Sequence, residues 1–174
     1  MIWTALVILI IAALFGFVVF RGSPYVPSHR SDIQQAFTEL YQVDANDTLV
    51  DLGSGDGIIL RKAARAGARA VGFEINPILV IISRLLSRNN KISTVFADFW
   101  FSHLPNDTTV VYVFSVSRDV KKIKIWIQNE TNRIGRTIHL ISYGSRIDDM
   151  KAIKNINANH LYVFHPLQTN KAQV

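Results

Sequence analysis

The 174-residue sequence contains no cysteine. Without a thiol, the chain has no disulfide, no thiolate zinc site and no cysteine nucleophile. Acidic residues are few, with 13 Asp and Glu against 19 Lys and Arg, which gives a formal net charge of +6. Because 49% of the residues are hydrophobic, a chain of this length can bury one core but hardly a second. We therefore expect one basic domain whose chemistry does not use a thiol.

Charge is absent from residues 2–20, nearly all of which are apolar. The run is close to the roughly 20 apolar residues that cross a bilayer as a helix. It lacks the basic start and the small-residue cleavage site of a secretory signal peptide. We predict a transmembrane anchor at residues 1–21. Because Arg21 and Arg30 follow the run, the positive-inside rule puts the rest of this single-pass membrane protein on the cytoplasmic, or matrix-like, side.

Candidate metal ligands are sparse as well. The histidines, at positions 29, 103, 139, 160 and 165, show neither an i, i+4 pair nor a spacing with supporting carboxylates. We therefore predict no metal site. Basic residues do cluster, at Lys121, Lys122 and Lys124, but a solvated helix face or a membrane contact is the usual reason for such a run. We therefore expect no nucleic-acid partner.

What the sequence does contain is a glycine-rich turn directly after an apolar strand at 48–52. The glycines of this turn are Gly53, Gly55 and Gly57. They allow a ligand to lie against the backbone, but the dinucleotide fingerprint requires another glycine where this chain has Ile58. Asp51 and Asp56 flank the turn, and two carboxylates would repel a pyrophosphate. They suit a ligand that carries an ammonium and a sulfonium, and S-adenosylmethionine (SAM) is such a ligand.

A further acidic residue follows the second predicted strand. Glu74 lies about 20 residues after Gly53, which is the spacing of a ribose-binding acid at the end of strand two. Asn76 and Pro77 then have the residue types of an N-cap and a first helical position. The sequence therefore predicts two neighbouring strands that each end in an acid, followed by helices.

These motifs resemble a known family. D-L-G-S-G-D-G at 51–57 with G-F-E-I-N-P at 72–77 resembles the class I, seven-β-strand SAM-dependent methyltransferases. With P-Y-V-P at 24–27 and A-D-F-W at 97–100, residues 1–143 look like the small membrane-anchored protein-lysine methyltransferases, whose known members modify the mitochondrial adenine nucleotide translocase and the c-subunit of ATP synthase. Ile58 stands where that group often has a basic residue, and the tail is short. These departures bear on the substrate more than on the cofactor.

The resemblance implies a role for each matched residue. It implies that SAM is bound by Asp51, Gly53, Gly55, Asp56, Gly57, Glu74 and Asp98. Glu74 would bind the ribose hydroxyls, and Asp98 would lie near the adenine amino group unless it only caps the following turn. Tyr25 and Trp100 are candidates for the substrate side, because aromatic faces stabilise a lysine nitrogen or a sulfonium by cation–π contact. We assign no catalytic base.

The predicted elements favour an α/β fold, a Rossmann-like class I methyltransferase sheet with a C-terminal β-hairpin. Their order is β-α-β-α-β-β-α-β, followed by a hairpin whose two strands are joined at 157–159. This order leaves out one usual crossover helix. We expect an anchor at 1–21, a linker at 22–30 that folds over the cofactor site, and the methyltransferase domain at 31–174. The helix from Pro77 to about Ser87 is unusually apolar. We predict that it packs into the core, with contact to a bilayer or a hydrophobic partner as the alternative.

The predicted function is SAM-dependent methylation of lysine in a membrane or membrane-associated protein. Three alternatives remain open. A nucleic-acid methyltransferase of the amino-directed type usually has N/D-P-P-aromatic after strand four, where this chain has F-S-V-S at 114–117. A lipid or quinone methyltransferase would suit the apolar segments. A membrane-tethered module could also bind SAM without catalysing any transfer.

Overall fold

The computed structural model describes residues 3–6 and 30–167. Residues 3–6 are helical. Within these described ranges, every helix is too short or too polar to span a bilayer. The anchor predicted at 1–21 and the linker predicted at 22–30, with Tyr25, lie almost entirely outside the described residues. Both remain predictions from the sequence.

A seven-stranded sheet forms the centre of the domain. Its strands are β1 (Thr48–Leu52), β2 (Arg69–Glu74), β3 (Ile92–Phe96), β4 (Val110–Ser115), β5 (Ile138–Gly144), β6 (Lys154–Ile156) and β7 (Asn159–Phe164). The strand order is β3-β2-β1-β4-β5-β7-β6. Strands β1 to β5 run parallel, β7 is antiparallel to β5, and β6 is antiparallel to β7. The predicted Rossmann-like sheet with a C-terminal hairpin is confirmed.

The helices cover both faces of this sheet. They are α1 (Arg30–Gln35), continued by a π-helical turn (Ala36–Leu40), then α2 (Ile58–Arg65), α3 (Pro77–Leu86) and α4 (Val120–Ile134). Between β3 and β4 the chain forms only a short 3-10 turn (Phe99–Phe101). The missing crossover helix is therefore confirmed.

The helix ends follow the local chemistry of the sequence. The side chain of Asn76 accepts a hydrogen bond from the Ile78 N–H (3.0 Å), so Asn76 caps α3 with Pro77 at the first helical position. Gly135 ends α4 in the left-handed conformation (φ 74°), and its N–H donates to the Thr131 carbonyl. These caps fix where α3 and α4 begin and end relative to the sheet.

The core consists of two apolar layers, one on each face of the sheet. All five residues of β1 are buried, as expected for a parallel strand covered on both sides. The layer under α1 and α2 includes Ile33, Phe37, Leu40, Leu49, Leu60, Ala63 and Tyr112. The layer under α4 includes Val50, Leu52, Val111, Val113, Ile123, Ile127 and Phe164. The sheet is thus packed with apolar side chains on both faces.

Helix α3 departs from the sequence-based expectation. Its buried residues are Val80 and Ser83, whereas five of its large apolar side chains are exposed: Ile78, Ile81, Ile82, Leu85 and Leu86. The prediction of core packing is therefore wrong for most of this helix. The cause is the inner face of α3, where Ser83 shares a hydrogen bond with Thr94 of β3 (2.8 Å). That small polar side packs against the sheet, so the larger apolar side is turned outward.

Candidate functional site

The sheet topology brings the predicted site residues to one edge. Asp51 lies near the carboxyl end of β1, Glu74 ends β2, and Asp98 follows β3, and these three strands are neighbours in the order β3-β2-β1. The carboxyl edge of a parallel sheet is where ligands bind in α/β folds. Residues far apart in sequence are therefore collected into one candidate site.

The glycine-rich turn after β1 is folded back onto the end of β2. The N–H groups of Gly53 and Ser54 both donate to the Phe73 carbonyl, at 2.9 and 3.0 Å. The φ angles are 88° at Gly53, 53° at Gly55 and 81° at Gly57, all in the left-handed region. A Cβ built on Gly53 would meet no heavy atom within 4 Å. That side of the turn is therefore open to a ligand at close range to the backbone.

Glu74 joins the glycine turn to the start of α3. Its Oε2 accepts from the Gly55 N–H (2.8 Å), and its Oε1 accepts from the Asn76 N–H (2.8 Å). The side chain is buried, and each carboxylate oxygen can still accept a second hydrogen bond. Glu74 thus holds both loops in register and keeps acceptor capacity at the edge of the site.

Asp51 is the most confined acidic group of the site. It is only 3% exposed, and no described residue donates a hydrogen bond to its carboxyl. Burial raises the pKa of Asp51 well above its usual range, and the nearby charges of Glu74 and Asp56 raise this pKa further. A buried carboxyl beside another acid is stabilised in its ionised form by a cationic partner. These acidic acceptors therefore fit a ligand with an ammonium group.

Asp56 and Gly57 have structural partners that the sequence did not reveal. Asp56 forms an ion pair with Arg61 (3.1 Å) and accepts a hydrogen bond from the Ile58 N–H. Its carboxylate is therefore already paired, unlike that of Asp51. A Cβ on Gly57 would lie 2.3 Å from the Ser83 Oγ of α3, so helix packing alone requires glycine there. Contact of either residue with a cofactor stays a prediction.

Asp98 and Trp100 belong to the 3-10 turn beyond β3. Asp98 Oδ1 accepts from the Trp100 N–H (3.0 Å), which is the N-cap role expected as the alternative to adenine contact. The Trp100 ring lies 4.4 Å from the Phe99 ring, and the Lys122 ammonium of α4 stands 3.9 Å from the Trp100 ring centroid. The cation–π contact expected for a substrate nitrogen is therefore made by a lysine of the chain itself.

Sequence reasoning missed two groups at this edge. Lys122 looks like part of a basic helix face, although its position one turn before Trp126 puts it on the side of α4 that faces Phe99 and Trp100. Ser54 is the other group, and its buried Oγ has no hydrogen-bond partner within the described ranges. A serine between two glycines gives little signal in the sequence. Its burial depends on the turn folding against β2, where Gly72 leaves room for it.

The chain is similar in sequence to lysine methyltransferases, although no family model matches it. It is 33% identical over 122 residues to the ATP synthase c-subunit lysine N-methyltransferase of Xenopus laevis, covering 66% of this chain and 51% of that protein. The Homo sapiens protein of the same name is 33% identical over the same length, with 66% and 50% covered. The chain thus spans about half the length of these relatives.

Solved structures share the fold. An RNA methyltransferase from Salinibacter ruber in complex with S-adenosyl-L-homocysteine superposes with a TM-score of 0.73 at 25% identity, covering 84% of this chain and 97% of that chain. A SAM-dependent methyltransferase from Geobacter sulfurreducens, also with S-adenosyl-L-homocysteine, gives a TM-score of 0.56 at 16% identity, with 79% and 58% covered. The candidate site lies on the sheet that these structures have in common with this chain.

Proposed function

From the premise that this chain belongs by fold to the class I SAM-dependent methyltransferases, we propose that it transfers a methyl group from SAM to a lysine of a membrane or membrane-associated protein. The observation that carries the proposal is the pair of buried carboxyls, Asp51 and Glu74, around a glycine turn with an open face. Sequence similarity to the ATP synthase c-subunit lysine N-methyltransferases supports lysine as the acceptor.

Each residue of the site has a task in this proposal. The residues that would hold SAM are Asp51, Gly53, Gly55, Asp56, Gly57, Glu74 and Asp98. Asp51 would accept hydrogen bonds from the ammonium of the methionine part, Glu74 from the ribose hydroxyls, and Asp98 from the adenine amino group. The bond to the Gly55 N–H keeps the Glu74 carboxylate in position before the ligand arrives. Binding therefore requires little rearrangement of the turn.

The chemistry that SAM supplies is an electrophilic methyl group, which an uncharged amine can attack directly. The chain's contribution is to position the amine and exclude water, so no covalent bond to the protein is needed. Burial beside a sulfonium lowers the pKa of a lysine amine, so a strong base is not compulsory. Tyr25 and Trp100 are the substrate-side candidates, and at Trp100 a substrate amine would displace Lys122 from the ring.

The proposed setting is a membrane. We propose that residues 2–20 anchor the chain as a single helix and that the domain lies on the cytoplasmic, or matrix-like, side. The support is the uncharged run with Arg21 and Arg30 after it. A tethered domain meets membrane-protein substrates at high effective concentration.

The experiment that tests the function is transfer of labelled methyl from SAM to a membrane fraction by the full chain, with products divided into protein, lipid and nucleic acid. The variant is Asp51→Asn, which keeps the shape of the side chain and removes its charge. Glu74→Ala is less informative, because it would also release the Gly55 and Asn76 backbone. The control is Asp149→Asn, an exposed carboxylate paired with Lys124.

Label in a protein band, lost with Asp51→Asn and kept with Asp149→Asn, is the expected result, and hydrolysis should release methylated lysine. RNA methylation is the second candidate, because the Salinibacter ruber RNA methyltransferase covers most of this chain and the chain carries a net charge of +6. Label in RNA or in lipid would show that the methyl acceptor is not a protein. SAM binding without label in any fraction would instead indicate a tethered binding module.

A further inference from the structure

Helix α3 has its apolar and polar sides in the reverse of the usual order. The side chains that face outward recur at i, i+3, i+4, i+7 and i+8, and they are Ile78, Ile81, Ile82, Leu85 and Leu86. Leu85 is 61% exposed and Ile81 57%, whereas the inward-facing Ser83 is 0% exposed. A surface helix of a protein surrounded by water normally shows the opposite arrangement. A continuous apolar stripe of this kind marks a surface that contacts something other than water.

The orientation of α3 is fixed by contacts on its inner side. Ser83 bonds to Thr94, and Gly57 leaves just enough room for the Ser83 hydroxyl. The Arg84 guanidinium donates twice to the Thr94 carbonyl, at 3.0 and 2.8 Å. Because these groups bind the helix to β3 and to the glycine turn, α3 cannot rotate its stripe inward without losing them. The stripe is therefore a stable feature of the folded surface.

Charge around the stripe is of one sign. Between Glu74 and Asp98 the sequence contains no acidic residue, but it contains Arg84, Arg88 and Lys91. All three basic residues are exposed, and two of them follow the carboxyl half of α3. A helix with isoleucine and leucine on one side and arginine and lysine beside them is typical of helices that lie in the interface of anionic bilayers.

We propose that α3 lies in the headgroup layer of an anionic bilayer, with its apolar stripe directed towards the acyl chains and with Arg88 and Lys91, which follow the helix, among the headgroups. The chain between residue 20 and the start of α1 can extend at most about 35 Å, so a domain tethered by the N-terminal run stays within reach of the surface. Because α3 begins three residues after Glu74, this contact brings the carboxyl edge of the sheet next to the membrane. The inference does not depend on lysine being the acceptor.

The absence of cysteine makes a site-specific test direct. Ile81→Cys and Leu85→Cys in the full chain each receive a single environment-sensitive fluorophore. The matched control is Ile125→Cys on α4, since Ile125 is 62% exposed and α4 covers the opposite face of the sheet. Each labelled protein is reconstituted into phosphatidylcholine vesicles with and without phosphatidylglycerol. A further set of vesicles carries nitroxide on the acyl chains as a quencher.

At positions 81 and 85, the expected result is a blue shift of the fluorescence in anionic vesicles and quenching of that fluorescence in the vesicles that carry nitroxide. Neither change is expected at position 125. Both changes are expected to weaken without phosphatidylglycerol and in an Arg88→Glu background. A blue shift without nitroxide quenching would overturn the proposal, because it would indicate burial against protein. Unchanged fluorescence at 81 and 85, or equal quenching at 125, would also overturn it. SAM binding by the same samples reports on the cofactor site independently of this outcome.

Discussion

At the scale of single residues, Asp51 combines a cost to the free protein with a benefit to the ligand complex. Its carboxyl is buried beside Glu74 and Asp56 and accepts a hydrogen bond from no described residue. We expect Asp51→Asn to raise the free energy of unfolding of the ligand-free protein at pH 8 and to weaken SAM binding about 10- to 100-fold, the usual loss for a charged hydrogen bond. Denaturant titration and calorimetry measure the two quantities. Unchanged SAM affinity would show that Asp51 does not contact the ligand.

The same carboxyl makes SAM affinity depend on pH. Because the folded pKa of Asp51 is raised, its contribution to stability is present below the unfolded value of 3.8 and is lost as pH rises through the folded value. SAM, as a cation, binds the ionised form, so affinity should increase over that same range. Titrations of the wild-type chain from about pH 5 to about pH 7 should show the increase, because the α-amino group of the ligand, with an ordinary pKa of about 7.7 to 8.0, stays protonated over that range. Asp51→Asn should be nearly flat, and a slope equal to that of the wild type would contradict the assignment.

Single residues also show which parts of the candidate site could be predicted from the sequence. That Asp51, Gly53 and Glu74 lie together could be predicted, because the spacing of acids and glycines after two apolar strands is itself the signal; their contact with a cofactor stays a prediction. The ion pair of Asp56 with Arg61 could not, since a spacing of five does not decide whether two side chains of a turn and a helix meet. The contact of Lys122 with Trp100 depends on how α4 crosses the sheet, which a local pattern does not encode.

At the scale of elements, strands were easier to predict than helix faces. Buried parallel strands are apolar runs bounded by turn residues, so β1 and β2 could be recognised from the sequence and their ends agree closely with the structure. The start of α3 was equally clear from its N-cap. Which side of α3 packs against the sheet was not clear from the sequence, because hydrophobicity alone would turn Ile81 and Leu85 inward. In the structure, the hydrogen bond of Ser83 and its close approach to Gly57 hold the polar side of α3 inward instead.

The contact between α2 and α3 gives an element-scale prediction. Gly57→Ala introduces a Cβ at 2.3 Å from Ser83 Oγ and also places alanine in the left-handed region, at φ 81°. Gly135→Ala introduces only the backbone strain, since Gly135 (φ 74°) has no heavy atom within 4 Å of the added carbon. We expect Gly135→Ala to cost about 1 kcal/mol and Gly57→Ala about 2–4 kcal/mol. Equal losses in chemical denaturation would mean that α3 yields to the added methyl group.

At the scale of the whole molecule, the pH dependence of stability should have an acid limb set by tertiary contacts. Burial raises the pKa of Glu130, but hydrogen bonds from Arg133, His103 and the Leu104 N–H outweigh it and lower this pKa below 4.5. Stability from this group is present above its unfolded value and is lost as pH falls through the folded one. Burial also lowers the pKa of His160, so the loss of stability should begin as pH falls below about 6.5.

The melting temperature, measured over about six pH units from pH 3 to pH 9, should therefore fall on the acid side with or without SAM. On the alkaline side it should fall further in the ligand-free protein than in the SAM complex, because the SAM cation offsets the buried charge of ionised Asp51. Glu130→Gln, which removes the ionisable group, should flatten the part of the acid limb below pH 4.5. An unchanged acid limb in that variant would assign the loss to other carboxyls.

The first helix of the domain is fastened by its last hairpin. Lys154 donates to the Glu39 carbonyl, and the side chain of Asn157 donates to Gln35 Oε1 (2.8 Å). On a ribosome these partners emerge more than 100 residues apart, so the π-helical turn and α1 lack part of their support until the hairpin has been synthesised. The start of the domain would thus gain its full support only after the hairpin has formed. Shortening the protein at its C-terminal hairpin should accordingly loosen α1 first.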